Sequence, residues 1–156
     1  MTDRRDFIKG LLALGATASA AHASSAAAQG APPAPGKKLG YALVGLGKLS
    51  EEQLAPALQK TKLCKLTGLV SGHPDKAKEW AKKYGVPEKN IYGYDSFDAI
   101  ANNPDIDVVY VVLPNSMHAE FTIRAAKAGK HVLCEKPMAV SVKECDDMIA
   151  ACKAAK

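Results

Sequence analysis

The sequence predicts an α/β fold in which a doubly wound parallel sheet is covered by helices on both faces. From position 39 onward, short apolar runs alternate with segments of helical periodicity. The clearest run is VVYVVL at Val108–Leu113, and six apolar residues in a row are typical of a strand buried on both sides. A glycine-rich turn, GLGKLS, directly follows the first run. Together these observations predict a dinucleotide-binding Rossmann domain over residues 39–156.

In the first half of this domain, two strands alternate with two helices. Leu39–Val44 is a short apolar strand, and the helix predicted at Glu51–Gln59 contains Pro56, which would distort it. Leu63–Ser71 is predicted as the second strand. The next helix is predicted at Pro74–Tyr84, because a proline stands at its start and a glycine follows its end.

The second half continues the alternation. Ile91–Tyr92 is predicted as a brief third strand and Ser96–Asn102 as a short helix. Val108–Leu113 is the fourth strand and is followed by a helix at Ser116–Ala128, which a glycine ends. His131–Cys134 is the fifth strand, after which the chain enters its last helix.

A capping box opens this last helix at Ser141. Cys145 and Cys152 lie seven positions apart on it, about 10 Å between Cα atoms, which is too far for a disulfide. Cys134 and Cys64 fall in or beside apolar strands, and the chain has no CxxC spacing. We therefore expect buried free thiols and no metal site.

The N-terminal residues 1–28 are typical of a twin-arginine signal peptide. Arg4–Arg5 precedes Phe-Ile-Lys and the apolar run Gly10–Ala21, which is too short to cross a bilayer. A-x-A sites allow cleavage after Ala23 or Ala28. This predicts export of the folded protein to the periplasm by the Tat translocase, without a stable membrane anchor. An ordinary basic leader or an Ala-rich disordered leader is the alternative.

Composition limits the domain count and the partners. The 156 residues are 47% hydrophobic, which supports one domain after a Pro-rich spacer at residues 29–38. The formal net charge is +5, and the leader contributes +1, which leaves about +4 (5 − 1) for the rest. The lysines are scattered among acidic residues along helical stretches, so nucleic-acid binding, which needs a basic stripe, is not expected.

The glycine turn is the first candidate binding element. Gly45 permits a tight turn, Gly47 lets the backbone approach a pyrophosphate, and Ser50 is a small residue at the third glycine position. With Lys48 and Leu49, which stand between Gly47 and Ser50, the turn is predicted to bind the pyrophosphate at the N-terminus of a helix. An ordinary tight turn is the alternative.

The end of the second strand bears on the choice between NAD and NADP. A carboxylate here would accept the ribose 2′-hydroxyl of NAD, but the sequence has Ser71 and Gly72, with Lys76 in the next helix. A hydroxyl, backbone amides and an ammonium suit a phosphate better. We therefore expect NADP, with NAD as the alternative. Lys76 could also be a solvated helix lysine.

The loop after the fourth strand contains further candidates. Leu113, Pro114, Asn115 and His118 lie at the carboxyl end of the predicted sheet, where ligands bind in such folds, and are predicted to contact the cofactor. Asn115 or Ser116 could instead cap the following helix, and a histidine at a helix start is as often structural.

The fifth strand ends in Glu135-Lys136-Pro137. Lys136 is the candidate catalytic residue, since a lysine near the nicotinamide can hydrogen-bond a substrate hydroxyl or carbonyl. Glu135, a further candidate at the cofactor, can pair with the ammonium and hold it. From the residues alone, a surface ion pair in a turn is the alternative.

Three segments together resemble the glucose–fructose oxidoreductase (Gfo/Idh/MocA) family. They are VGLGKLS at 44–50, LPNSMHAEF at 113–121 and AGKHVLCEKPMA at 128–139, and the resemblance covers residues 39–156. It implies tightly held NADP, with Ser71 and Lys76 at the 2′-phosphate. It also implies a cis bond before Pro137, with Lys136 beside the nicotinamide. The leader and LVSGHPDKAK are most similar to periplasmic members.

The resemblance also implies what the whole enzyme does. Family members transfer hydride between the nicotinamide and sugars or polyols, using a second domain that carries the substrate pocket. This sequence contains neither that domain nor the last strand of the sheet, so we expect a truncated NADP-binding domain. A non-catalytic dinucleotide-binding fragment is the alternative, and oligomers are expected only with the missing domain.

Overall fold

The computed structural model describes residues 36–156. The predicted signal at 1–28 and positions 29–35 of the predicted spacer lie outside the described residues. Five strands form one sheet: Leu39–Val44 (β1), Cys64–Val70 (β2), Ile91–Tyr92 (β3), Val108–Val111 (β4) and His131–Cys134 (β5). Every pairing is parallel and the order is β3-β2-β1-β4-β5. This order, with helices between the strands, confirms the predicted doubly wound sheet.

β4 is shorter than predicted. The apolar run continues to Leu113, but regular pairing ends at Val111. Val112 still donates its N–H to Val44 O at 2.8 Å. Pro114 has no N–H to donate and ends the ladder, so the chain turns away from the sheet at this point.

Four α-helices accompany the sheet: Ala55–Lys60 (α1), Pro74–Tyr84 (α2), His118–Lys127 (α3) and Val142–Ala155 (α4). The first three pack on the strands, and α4 packs on α3. α2 has the predicted bounds. The helix predicted at Ser116–Ala128 is instead a 3-10 turn, Asn115–Met117, followed by α3. The short helix predicted at Ser96–Asn102 is also 3-10, over Phe97–Asn102. A third 3-10 turn spans Glu88–Asn90.

A π-helical turn, Ser50–Leu54, precedes α1. Pro56 cannot donate a hydrogen bond, and Ala55, directly before it, donates its N–H to Ser50 O, five positions back. The predicted distortion of this helix by Pro56 therefore takes the form of a widened turn just before the proline.

The core lies on both faces of the sheet. On one face, α3 and the 3-10 helix at Phe97–Asn102 cover the central strands, and the Phe97 and Phe121 rings pack edge to face at 5.1 Å. On the other face, α1 and α2 cover β1 and β2, with Trp80 only 2% exposed. Because both faces of the sheet are covered by apolar layers, polar side chains are accessible mainly at the ends of the strands.

Cys64, Cys134 and Cys145 are half-buried, whereas Cys152 is exposed, so the expectation of buried thiols is wrong for Cys152. It lies near the C-terminal end of α4, where packing against α3 gives way to solvent. Within residues 36–156, no cluster of three metal-ligating side chains is present. None of the helices in that range is both long and apolar enough to cross a membrane.

Candidate functional site

The carboxyl ends of all five strands stand side by side. The register pairs Val44 of β1 with Val70 of β2 and with Val111 of β4. Val70 in turn faces Tyr92, and Val111 faces Cys134. The residues that follow this row therefore emerge at one edge of the sheet, and we call this edge the rim. The glycine turn, Ser71 and the Glu135–Pro137 segment all lie on it.

The glycine turn is held from three sides. Gly45 donates its N–H to Val70 O at 2.9 Å, and Ser50 Oγ donates to Gly45 O at 2.6 Å from a fully buried position. Gly45 has φ +95°, and a Cβ there would lie 2.4 Å from Val112 O. Only glycine fits this position, because both its φ and its contact with β4 exclude a side chain.

Gly47, unlike Gly45, is not constrained by protein contacts, and its surroundings fit a dinucleotide. A Cβ added at Gly47 would meet no described atom within 4 Å, and φ is not positive, so protein contacts do not require a glycine there. Gly47 O accepts the N–H of Glu51 at 3.0 Å, so a helical turn begins directly after the loop and leaves its first N–H groups unpaired within the helix. Lys48 and Leu49, in this turn, are exposed. The open space over Gly47 suits a pyrophosphate.

Ser71 and Lys76 lie where β2 leads into α2. The Ser71 hydroxyl is nearly buried and accepts the His73 N–H at 3.0 Å, while Gly72 lies against the Tyr94 ring. Lys76 Nζ is 3.1 Å from Glu51 Oε2 and 5.5 Å from the centre of the Trp80 ring. The ammonium therefore points back toward the glycine turn.

The loop after β4 leaves polar side chains accessible. Pro114, Asn115 and Ser116 are exposed, while Leu113 is buried beneath Gly45. No side chain caps the 3-10 turn or α3. The capping role considered for Asn115 or Ser116 is therefore absent at these two helix starts, and both side chains are available at the rim.

His118 is fully buried. Its Nδ1 lies 2.9 Å from Pro137 O and its Nε2 lies 2.7 Å from Leu113 O. The ring thus joins the loop after β4 to the loop after β5. This structural role describes the position better than the predicted cofactor contact, because the ring does not face the open rim.

Glu135 is bound differently from the prediction. Tyr110 OH donates to one of its carboxylate oxygens, and the Lys136 N–H donates to the other at 3.2 Å. Burial, followed by this hydrogen bond, raises the pKa of Tyr110 to about 12, and the same hydrogen bond lowers the pKa of the Glu135 carboxyl. The expected ion pair between Glu135 and the Lys136 ammonium is absent from the ion pairs of residues 36–156.

Lys136 is exposed, and its peptide bond to Pro137 is cis. With Glu135 engaged elsewhere, the ammonium has no carboxylate partner among the described residues. It can therefore reach a molecule that lies along the rim.

The sequence patterns did not identify two residues whose side chains bond to candidate site residues. Tyr110 lies in the middle of β4 and reads as a core residue, and Glu51 was placed in a helix without a role. Strand alternation is the one pattern that could have linked Tyr110 to Glu135. Tyr110 pairs with Leu133, and Glu135 lies two positions after Leu133, on the same face of the strand. Nothing local in the sequence linked Glu51 to Lys76.

Comparison with known proteins decides the family. The model of an oxidoreductase family with an NAD-binding Rossmann fold, GFO_IDH_MocA, matches residues 39–156, well over half of the chain. The chain belongs to the Gfo/Idh/MocA oxidoreductase family. The cis bond before Pro137 agrees with what the resemblance implied.

Solved structures share the fold. Aldose–aldose oxidoreductase from Caulobacter crescentus, crystallised with glycerol, is 52% identical with a TM-score of 0.75, and the match covers 76% of this chain and 36% of that one. A 3-ketoreductase from Actinomadura kijaniata, in complex with TDP-benzene and NADP, is 30% identical with a TM-score of 0.68 and the same two coverages.

A D-xylose 1-dehydrogenase of Haloarcula marismortui, described as using NADP(+), is 35% identical over 112 residues, which are 72% of this chain and 31% of that protein. The chain thus spans about a third of the length of these Gfo/Idh/MocA relatives. What it matches is their nucleotide-binding domain.

Proposed function

We propose that this Gfo/Idh/MocA chain binds NADP, in preference to NAD, and supplies the cofactor domain of an oxidoreductase of sugars or polyols similar to glucose–fructose oxidoreductase. One observation carries the proposal. The strand register puts the glycine turn, Ser71 and the exposed Lys136 on a single rim, and the Lys76 ammonium reaches the glycine-turn helix through its ion pair with Glu51. A dinucleotide has its pyrophosphate in the middle and its two rings at opposite ends, which suits this distribution.

The binding groups have separate tasks. The open backbone at Gly47, with the unpaired N–H groups of Lys48 and Leu49, would hold the pyrophosphate. The Ser71 hydroxyl, the Gly72 amide and the Lys76 ammonium would hold the ribose 2′-phosphate. Asn115 and Pro114, exposed on the loop after β4, would line the nicotinamide half.

Lys136 would orient the substrate. When bound, the nicotinamide supplies the carbon that accepts or gives a hydride. Lys136 would donate a hydrogen bond to the substrate oxygen and stabilise the negative charge that develops on it. Its ammonium has no carboxylate partner among the described residues, because Glu135 is bound to Tyr110 and to the Lys136 amide.

Cofactor titration tests the binding proposal. Trp80 is the single tryptophan, and its ring lies 5.5 Å from Lys76 Nζ, so its fluorescence reports on this part of the rim. We expect NADPH to bind more tightly than NADH. Lys76→Gln should weaken NADPH about tenfold, since a charge-assisted phosphate contact is lost, and leave NADH within twofold. Lys78→Gln, on the same helix, is the matched control. Equal binding of NADPH and NADH to the wild type would reject the NADP assignment.

Turnover tests the catalytic proposal. If the chain oxidises any of a panel of aldoses and polyols with NADP⁺, the sugar-dependent formation of NADPH should fall at least 100-fold in Lys136→Met, while NADPH affinity stays close to the wild-type value. Tight NADPH binding with no turnover on any sugar would support the alternative, a dinucleotide-binding fragment without catalysis.

Export by the Tat translocase to the periplasm remains a proposal, supported by Arg4–Arg5 and the short apolar run after them. Replacing both arginines with lysine should retain the protein in the cytoplasm, as fractionation would show. Unchanged secretion would contradict the proposal. Folded export would also let the protein load NADP before it crosses the membrane.

A further inference from the structure

We propose that Glu51 sets the cofactor selectivity of the rim by competing with the ribose 2′-phosphate for Lys76. The inference rests on the proposed function, because it concerns how strongly this chain prefers NADP to NAD. It assigns a specificity role to a residue of the glycine-turn helix and not to the end of β2, where such a carboxylate is usually sought.

The first support is the ion pair itself. Lys76 Nζ lies 3.1 Å from Glu51 Oε2, and the two side chains are 36% and 46% exposed. The pair joins the π-helical turn after β1 to the first turn of α2. Lys76 also lies 5.5 Å from the Trp80 ring, so the ammonium is bounded on one side by an aromatic face and on another by the carboxylate.

The second support is that Glu51 is fixed to the glycine turn. Its backbone N–H donates to Gly47 O at 3.0 Å, and the neighbouring Ser50 is locked by its hydroxyl bond to Gly45 O. The carboxylate is therefore carried by the same turn that offers its amides to the pyrophosphate. It stands between that turn and the ammonium proposed to bind the 2′-phosphate.

The charges then act in opposite directions on the two cofactors. A 2′-phosphate must share or displace Glu51 at Lys76 and meets the repulsion of a carboxylate close by. The 2′-hydroxyl of NAD carries no charge and can donate a hydrogen bond to a carboxylate. Glu51 thus reduces the advantage of NADP without harming NAD, and the chain should accept both cofactors with only moderate selectivity.

Charge removal at Glu51 tests this inference. In the 156-residue protein, Glu51→Gln should tighten NADPH about threefold to tenfold, the size expected for one charge near a solvent-exposed site. NADH should stay unchanged or weaken. Glu79→Gln makes the same change in net charge on the exposed face of α2 and should move neither affinity by more than twofold.

Adenosine 2′-phosphate as a competitor isolates the phosphate contact. Its affinity should rise in Glu51→Gln by the same factor as that of NADPH, whereas adenosine 5′-monophosphate should be unaffected. The Trp80 emission spectrum checks that each variant is folded.

The two proposals fail in different ways. If the wild-type protein binds neither dinucleotide, the proposed function and this inference fall together. If it prefers NADPH but Glu51→Gln binds NADPH equally or more weakly, the inference alone is wrong.

Discussion

Gly45 and Gly47 stand two positions apart in one turn, yet the structure constrains them for different reasons. Gly45 needs its positive φ and its contact with Val112 O, so it serves the fold. Gly47 has neither constraint, and the space a side chain would fill is open. One glycine is therefore required for folding, and the other is best explained by a ligand.

Alanine at these two positions should separate stability from binding. Gly45→Ala forces a Cβ against a backbone oxygen at a left-handed φ, so we expect a loss of about 2–4 kcal/mol in the free energy of unfolding. Gly47→Ala should change it by less than about 1 kcal/mol but weaken NADPH binding at least tenfold. Urea denaturation and cofactor titration of both variants measure the contrast. A Gly45 variant as stable as the wild type would contradict the steric argument.

The hydrogen bond between Tyr110 and Glu135 makes the stability of the fold depend on pH. Burial and the bond to Glu135 raise the pKa of Tyr110 to about 12, above the unfolded value of about 10. Because the folded pKa is the higher one, this contribution to stability is complete below pH 10 and is lost as the pH rises toward 12.

A pH series therefore tests the contact. In wild-type protein, part of the fall in unfolding free energy between about pH 10 and 12 should come from Tyr110, and Tyr110→Phe should show a shallower fall. Absorbance titration of tyrosinate should lose a late-titrating group in the variant. If the unfolding free energy falls equally steeply with pH in the wild type and in Tyr110→Phe, the Tyr110 hydroxyl does not form the described hydrogen bond to Glu135.

At the scale of elements, the helices begin in contrasting ways. Ser141 caps α4, its Oγ accepting the Glu144 N–H at 3.2 Å, and Glu144 Oε2 accepts the Val140 N–H at 3.0 Å. The bond from the Glu144 N–H to Ser141 Oγ is the half of the capping box that the sequence predicts, whereas the Glu144 carboxylate bonds the N–H of Val140, one position before the cap, and not that of Ser141. α3 has no side-chain cap, and a 3-10 turn leads into it instead.

The cap gives a prediction with a control in the same chain. Ser141→Ala should lower the free energy of unfolding by about 1 kcal/mol, since the Glu144 N–H loses its side-chain acceptor at the start of the helix. Ser116→Ala, at the uncapped start, should change it by less than about 0.5 kcal/mol. Chemical denaturation of the two variants provides the measurement, and equal losses would remove the distinction between the two helix starts.

Most elements could be predicted because their signals are local. The bounds of β1, α2, β3 and β5 follow from apolar runs and from prolines or glycines at their ends. The π-helical form of the turn before Pro56 could not be predicted, because a proline indicates that the helix is distorted but does not indicate which geometry the distortion takes. The early end of β4 was missed because apolar character continues beyond the last regular hydrogen bond.

For the whole molecule, the edge of the sheet that carries the candidate site was predictable, but the contacts within that site were not. Parallel strands must present their carboxyl ends at one edge, so the turn at Gly45 and the lysine at 136 were expected to meet there. The contacts of Lys76 with Glu51 and of Glu135 with Tyr110 join residues 25 positions apart in each case. Such pairs depend on packing and register, which one sequence does not display.

Ligand linkage gives a prediction for the whole domain. If NADPH binds the folded state only, its presence at 100 times the dissociation constant should add about 2.7 kcal/mol to the free energy of unfolding. Thermal melts should shift upward with NADPH and less with equal NADH. A melting temperature that does not change when NADPH is added would contradict binding of NADPH to the folded domain.

The alignment of strand ends has a mechanical consequence. Val44, Val70, Val111 and Cys134 are paired side by side, so a molecule bound across the segments that follow β1, β2, β4 and β5 would contact four stretches of the chain that are far apart in sequence. Hydrogen exchange of the backbone amides near Gly45, Ser71, Leu113 and Glu135 should then slow by the same proportion as the dinucleotide binds, and not at a different ligand concentration for each loop. Binding of a dinucleotide at the rim would therefore reduce the local opening of these strand ends together.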